Sequence, residues 1–324
     1  MENTEFELEC TDSQTIFDSN YDLVIFAIGY ERRASELLNR RTGTAKLSIA
    51  FGFDYGLEIS FIENEQAFKE KNVQLKLNLN DSQFQIELRT QLKLLSDNWE
   101  KATPITMLVD ISCFNRTRLA SIVAEISDLA ERHTVIVDFF YAIARFKKPS
   151  NEFISNSIVD AIHPFFSGWS RVPANATSAI IGMGYEQGQA LGAIEYIQAN
   201  PVWAFSPISA ESQYAPAVQK ANLLLLEELP IEKIISYSVE KPLETFRNIE
   251  GLARGLLQDY NVVIVPFGPK MFVLISLLVA WRNRSVAVWR VSPGTEIQPV
   301  QRESSGHFSA IRIQAKTKTN QFAE

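Results

Sequence analysis

The chain writes nearly the same pattern twice, and this repetition limits the fold more than any other feature. YDLVIFAIGYERRASELL begins at Tyr21 and TSAIIGMGYEQGQALGAI at Thr177, so Gly29-Tyr30-Glu31 and Gly184-Tyr185-Glu186 stand 155 positions apart. AKLSIAFGF from Ala45 answers NPVWAFSPI from Asn200 at the same offset. ITMLVDISCFNRTRLASIVAEI answers VVIVPFGPKMFVLISLLVAW at about 156, with Asp110 opposite Pro266. TVIVDFFYA from Thr134 answers SVAVWRVSP from Ser285 at about 151. Four matched blocks in one order indicate an internal duplication.

Each copy alternates short apolar runs with amphipathic stretches. In the first copy, strands are expected near 22–28, 46–52, 72–78, 105–110 and 134–141, and helices near 31–40, 58–70, 82–98 and 115–131. In the second, strands are expected near 178–183, 201–206, 233–238, 261–266 and 285–291. The matching helices fall near 187–198, 212–227, 242–259 and 270–283. The strands are continuous apolar runs, the mark of a parallel sheet covered on both faces. The expected fold is therefore α/β, with two duplicated, doubly wound, Rossmann-like parallel-sheet domains. Residues 1–150 would form the first and 177–324 the second with a C-terminal extension. A connector, 151–176, would join them. In the tail, IQPV and SAIRI read as two short strands before a frayed end.

A length of 324 residues fits two cores. A net charge of −7 argues against a general nucleic-acid coat. Two cysteines, Cys10 and Cys113, form no disulfide framework and point to a reducing cytoplasm. With only three histidines as well, no metal site is expected. The polar start is not a signal peptide, and Met271–Trp281 is too short to span a membrane.

Open α/β sheets bind ligands beyond the carboxyl ends of their strands, where the strand order reverses. In the first copy this selects Gly29, Tyr30, Glu31 and Arg32 after strand one, with Arg33 beside them. After strand four it selects Asp110, Ser112, Asn115, Arg116 and Arg118. Ser112 and Asn115 suit hydrogen bonding or capping, the two arginines suit phosphate, and Asp110 suits a ribose hydroxyl or a base amine. The same residues also suit a plain helix cap with solvated arginines. In the second copy the candidates are Gly184, Tyr185 and Glu186, then Gly268 and Lys270. Lys270 would oppose the dipole of the helix it opens, which favours a functional reason for it. Gly182, Gly184 and Gly188 are a loose variant of the dinucleotide fingerprint. The third glycine is one place late and the ribose-binding acid is missing, so no nicotinamide or flavin cofactor is expected. No nucleophilic elbow, Walker lysine loop or paired-histidine zinc motif is present, and no catalytic residue can be named.

VDISCFNRTRLASIVAEI resembles the strand-four motif of CARF domains, the CRISPR-associated Rossmann-like sensors, and AIGYERRASELL sits where their other ligand-binding segment lies. Two such units in one chain look like a SAVED domain, and VVIVPFGPKMFVLISLLVAWRNRSVAVWRVSPG is similar in pattern to its last strand-helix-strand. The resemblance implies a sensor of prokaryotic antiviral defence that binds an anionic, cyclic oligonucleotide at the strand ends. Such sensors commonly carry an effector, and no segment is left over for one here. The chain would then act as a stand-alone sensor or adaptor through a separate effector protein. Two alternatives stay open: a nucleotide-processing enzyme (a ring nuclease or nucleosidase), or a structural subunit of a defence complex with degenerate pockets.

Overall fold

A computed structural model of the chain describes residues 4–97, 99–100, 102–149, 156–168, 175–292 and 299–317. The chain divides into two compact units, residues 1–144 with 299–324, and residues 145–298.

The first unit opens with β1 (Thr4–Cys10) and α1 (Ser13–Asp18), then β2 (Tyr21–Ile28), a 3-10 turn at Arg32–Ser35 and α2 (Glu36–Arg40). β3 (Ala45–Phe53), α3 (Phe61–Glu70), β4 (Gln74–Leu79), α4 (Asp81–Ser96), β5 (Ile105–Asp110), α5 (Arg116–Ala130) and β6 (Val135–Ala144) follow. The second unit holds β7 (Ile158–Ala161), β8 (Thr177–Gly182), α6 (Gln189–Ile197), β9 (Val202–Ile208), α7 (Tyr214–Ala221) and α8 (Leu223–Glu228). It continues through β10 (Ile234–Ser238), α9 (Pro242–Leu256), β11 (Asn261–Pro266), α10 (Lys270–Arg282) and β12 (Ala287–Ser292). The last strand, β13 (Ser304–Thr317), returns to the first unit.

The sheets run β1-β13-β6-β5-β2-β3-β4 and β10-β9-β8-β11-β12-β7. Numbered within each copy, the five parallel strands stand in the same order, 3-2-1-4-5, in both units. Each order reverses beside strand one, so the crevices lie between β2 and β5 and between β8 and β11. In both units the helix after strand four is buried on nearly every side, as an apolar helix in the middle of a layer must be. α5 buries 12 residues and α10 the whole run Met271–Trp281. Ser121 and Ser276, 155 apart, each donate to the carbonyl four residues back, that of Thr117 and of Phe272.

Three strands depart from the sequence expectation, and all three pair antiparallel beyond the parallel strands: β1 and β7 are edge strands, and β13, longer than the strand expected over SAIRI, lies between β1 and β6. β13 pairs with β6 and β1, so the tail belongs to the first unit and not to the second. Its inward alternation (fully buried Ile311, Ile313 and Ala315) drives this, and Arg312 forms a bidentate pair with fully buried Asp138 of β6. β1 was hidden in an acidic start, yet Phe6 and Leu8 alternate with glutamates as an edge strand requires. Ile158–Ala161, expected as connector, joins β12 as β7. The strand expected over IQPV lies partly outside the described residues, and Pro299 and Val300 have no regular structure. The helix expected over 212–227 breaks at Asn222.

Candidate functional site

In the first unit, the turn after β2 and the start of α5 meet at the crevice. The Glu31 carboxylate accepts from Arg33 Nε at 2.6 Å, and the Cys113 thiol lies 3.9 Å from the same oxygen. Arg33 also donates to the Ala142 carbonyl at 2.7 Å and lies over the Tyr141 ring. Burial works against the Arg33 charge, but Glu31, Tyr141 and Cys113 outweigh it and hold the guanidinium above its usual range. The Tyr30 phenol is pushed up to about 12, by burial first and then by the charges of Glu31 and Cys113. Asn64 of α3 clamps the turn from below, donating to the carbonyls of Gly29 and Glu31 at 2.8 and 2.9 Å.

Asp110 is buried and accepts from the Ser112 amide, while the Ser112 hydroxyl accepts from the Ala142 amide of β6. The first bond closes the turn after β5, and the second ties that turn to β6. Asn115 caps α5 through the Arg118 amide at 2.7 Å, and its own amide donates to Asp81. Arg118 corrects the sequence reading. It is wholly buried between the Phe53 and Phe84 rings and binds Asp81, the Gly52 carbonyl and the Leu79 carbonyl. No ligand phosphate reaches a side chain so enclosed; its work is to tie β3, β4 and α4 to α5. Burial lowers its pKa, and the Asp81 contacts offset only part of that. Arg116, by contrast, is half-buried at the first turn of α5 and makes no hydrogen bond or ion pair with the described residues. Arg32 is exposed and approaches Glu303 at 3.7 Å.

In the second unit, the turns after β8 and β11 touch through their backbones. A Cβ on Gly268, which has φ 76°, would come within 2.4 Å of the Met183 carbonyl oxygen. A Cβ on Gly184 would meet the Gly268 amide nitrogen at 2.7 Å and Glu186 Oε2 at 2.1 Å. Only glycine allows this approach. Asn222, at the break between α7 and α8, donates to the Gly184 carbonyl at 2.7 Å, the counterpart of Asn64 on Gly29. Tyr185 stacks on Tyr214 with centroids 6.0 Å apart, and Phe146 meets Tyr214 edge-on. Lys270 opens α10, which has no side-chain cap. Glu186 Oε2 is shielded from solvent and has no hydrogen-bond partner among the described residues.

In the first unit the structure brings Glu31, Arg33 and Cys113 together, in the second Gly184, Glu186 and Gly268, whereas Arg32 faces Glu303, Asn115 binds Asp81 and Arg118 is enclosed. The two asparagine clamps were missed, although Asn64 and Asn222 both follow strand two at similar distances. Elsewhere, a groove of about 210 Å³ between α4 and α5 is lined by Arg89, Lys93, Arg132, Glu125 and Asp128. It lies on the helix layer, with Arg89 already forked onto Glu125. Among the described residues, no group of three or more His, Cys, Asp or Glu is placed to hold a metal ion. No described helix is long and apolar enough to cross a membrane.

No protein-family model matches the chain, and no curated protein matches it significantly. Among solved structures, the chain is similar to the cytoplasmic domain of a prokaryotic cation chloride cotransporter. That likeness has 12% identity over 86% of this chain and 97% of that one, with a TM-score of 0.24. At that score it carries no argument.

Proposed function

We propose that the protein is a nucleotide-binding sensor or adaptor that takes an anionic, cyclic or linear oligonucleotide at the strand carboxyl ends and passes the signal to a partner protein. The antiviral-defence role and the separate effector rest on the resemblance to CARF and SAVED domains. The observation that carries the reading is the glycine seam of Gly184 and Gly268 beside the uncapped start of α10. Backbone that comes this close at a helix N-terminus, with Lys270 at its first position, suits a phosphate. Arg116, without a hydrogen bond or ion pair among the described residues at the start of α5, adds a cation of the same kind in the first unit. The enzyme reading gains no support from Asp110 and Ser112, which are buried and engaged with the backbone.

A panel of cyclic and linear oligonucleotides tests this by thermal shift, followed by chromatography of the recovered ligand. At 100 times the dissociation constant, binding adds about 2.7 kcal/mol to stability. The ligand should return intact, and Arg116→Ala and Lys270→Ala should each weaken the shift. Cleaved ligand would move the assignment to the enzyme. A panel with neither shift nor product would leave a subunit that works through protein contacts.

A further inference from the structure

The two copies treat one carboxylate differently. In the first unit Glu31 is met by the guanidinium of Arg33 at 2.6 Å. At the offset of 155, Glu186 keeps the acid, but Gly188 stands where Arg33 would be. Gly188 has φ 74° and serves as the N-cap of α6, with no side chain to offer. Glu186 Oε2 is left enclosed at the seam of the Gly184 and Gly268 turns, without a hydrogen bond or ion pair among the described residues. A buried carboxylate oxygen without a donor is costly, and native structures rarely keep one without a ligand, ion or water to satisfy it. The residue as a whole is only half-buried, so it can be approached from solvent.

We infer that Glu186 is the base-recognition residue of the second unit and that it receives a guanine ring. This rests on the nucleotide reading above. A planar fork of two N–H donors satisfies both oxygens of a carboxylate, as the guanidinium does. Guanine presents that fork through N1–H and its 2-amino group. Adenine and cytosine place an acceptor nitrogen beside the amine, which would face the second oxygen and repel it. Uracil and thymine flank their single N–H with carbonyls. The stacked Tyr185 and Tyr214, braced by Phe146, supply an aromatic surface next in sequence to the carboxylate, and base stacking on such rings is general.

The test is calorimetric titration of the full chain with guanosine 5′-monophosphate, adenosine 5′-monophosphate and methylguanidinium. The guanine nucleotide should bind at least tenfold tighter than the adenine one, and Glu186→Gln should remove that preference, weakening the guanine nucleotide and relieving the repulsion of the adenine one. The ligand-free melting temperature of Glu186→Gln should stay level or rise, because an unsatisfied charge is lost. A fall of several degrees would reveal a partner within the chain and overturn the inference. Equal affinity for the two nucleotides, or a preference that survives Glu186→Gln, would overturn it while the nucleotide reading stands. Binding of methylguanidinium alone, abolished by Glu186→Gln, would replace guanine by an arginine side chain. Failure of every nucleotide would remove both readings.

Discussion

The turns after β2 and β8 begin alike and end differently. Both carry Gly-Tyr-Glu, and both are held by a buried asparagine that donates to the glycine carbonyl, Asn64 at 2.8 Å and Asn222 at 2.7 Å. Beyond that point the first unit closes on itself: Glu31 takes Arg33, Asn115 takes Asp81, and Arg118 fills the space between two phenylalanines. The second unit has Gly188 where Arg33 would be and Gly268 where Ser112 would be, and Glu186 Oε2 has no hydrogen-bond partner among the described residues. One duplicated frame therefore supports two chemical states of the same crevice. In one copy the carboxylate is paired within the chain, and in the other its inner oxygen has no hydrogen-bond partner among the described residues.

The largest effects should come from the closed side. Arg33→Met leaves Glu31 buried without its cation, and breaking such a pair costs about 3–5 kcal/mol. Arg118→Met strips donors from the Gly52 and Leu79 carbonyls, with a loss of about 3 kcal/mol at 1–3 per unsatisfied acceptor. Glu186→Gln, on the open side, should move the urea midpoint hardly at all. If Arg33→Met proves as silent as Glu186→Gln, the contrast between closed and open crevices is wrong.

A middle-sized effect should be shared. Asn64→Ala and Asn222→Ala each leave the turn glycine's carbonyl buried without a donor, so each should cost about 1–3 kcal/mol. Similar losses from urea unfolding would show that the clamp is one device inherited twice. A large loss in one copy and none in the other would mean that the resemblance of the two hydrogen bonds is superficial.

The frame was legible because its signals are periodic and doubled. Continuous apolar runs such as YDLVIFAI mark buried parallel strands, and the constant offset carries each assignment from one copy to the other. The antiparallel additions were less legible, since β1, β7 and β13 have no matched sequence block and their pairing is long-range; only the SAIRI part of β13 was read as a strand. β13 is placed by its inward apolar alternation and by the Arg312–Asp138 pair, a contact 174 residues apart in sequence. At the crevices, the sequence placed the loops after strands one and four where the strand order reverses, but could not sort arginines by burial. Arg116 and Arg118 are two positions apart at the start of a helix, and that rotation alone sends one toward solvent and the other between Phe53 and Phe84.

The smallest effect probes the closed turn without disturbing its packing. Tyr30 titrates at about 12 in the folded chain, against an ordinary value near 10 in the unfolded one. The folded state thus holds the phenolic proton more tightly, so the stability from Tyr30 is fully present below pH 10 and is lost as the pH rises through 12. Tyr30 is partly exposed, which keeps the contribution small. Tyr21 and Tyr55 are also raised by burial, so absorbance at the phenolate band should lose one late-titrating tyrosine in Tyr30→Phe while others remain, and the variant's stability should fall less steeply between pH 10 and 12. Burial is the larger cause and Glu31 the next, so Glu31→Gln should bring the phenol only part of the way back toward 10. A wild-type Tyr30 that already titrates near 10 would mean that the crevice of the first unit is as open as that of the second.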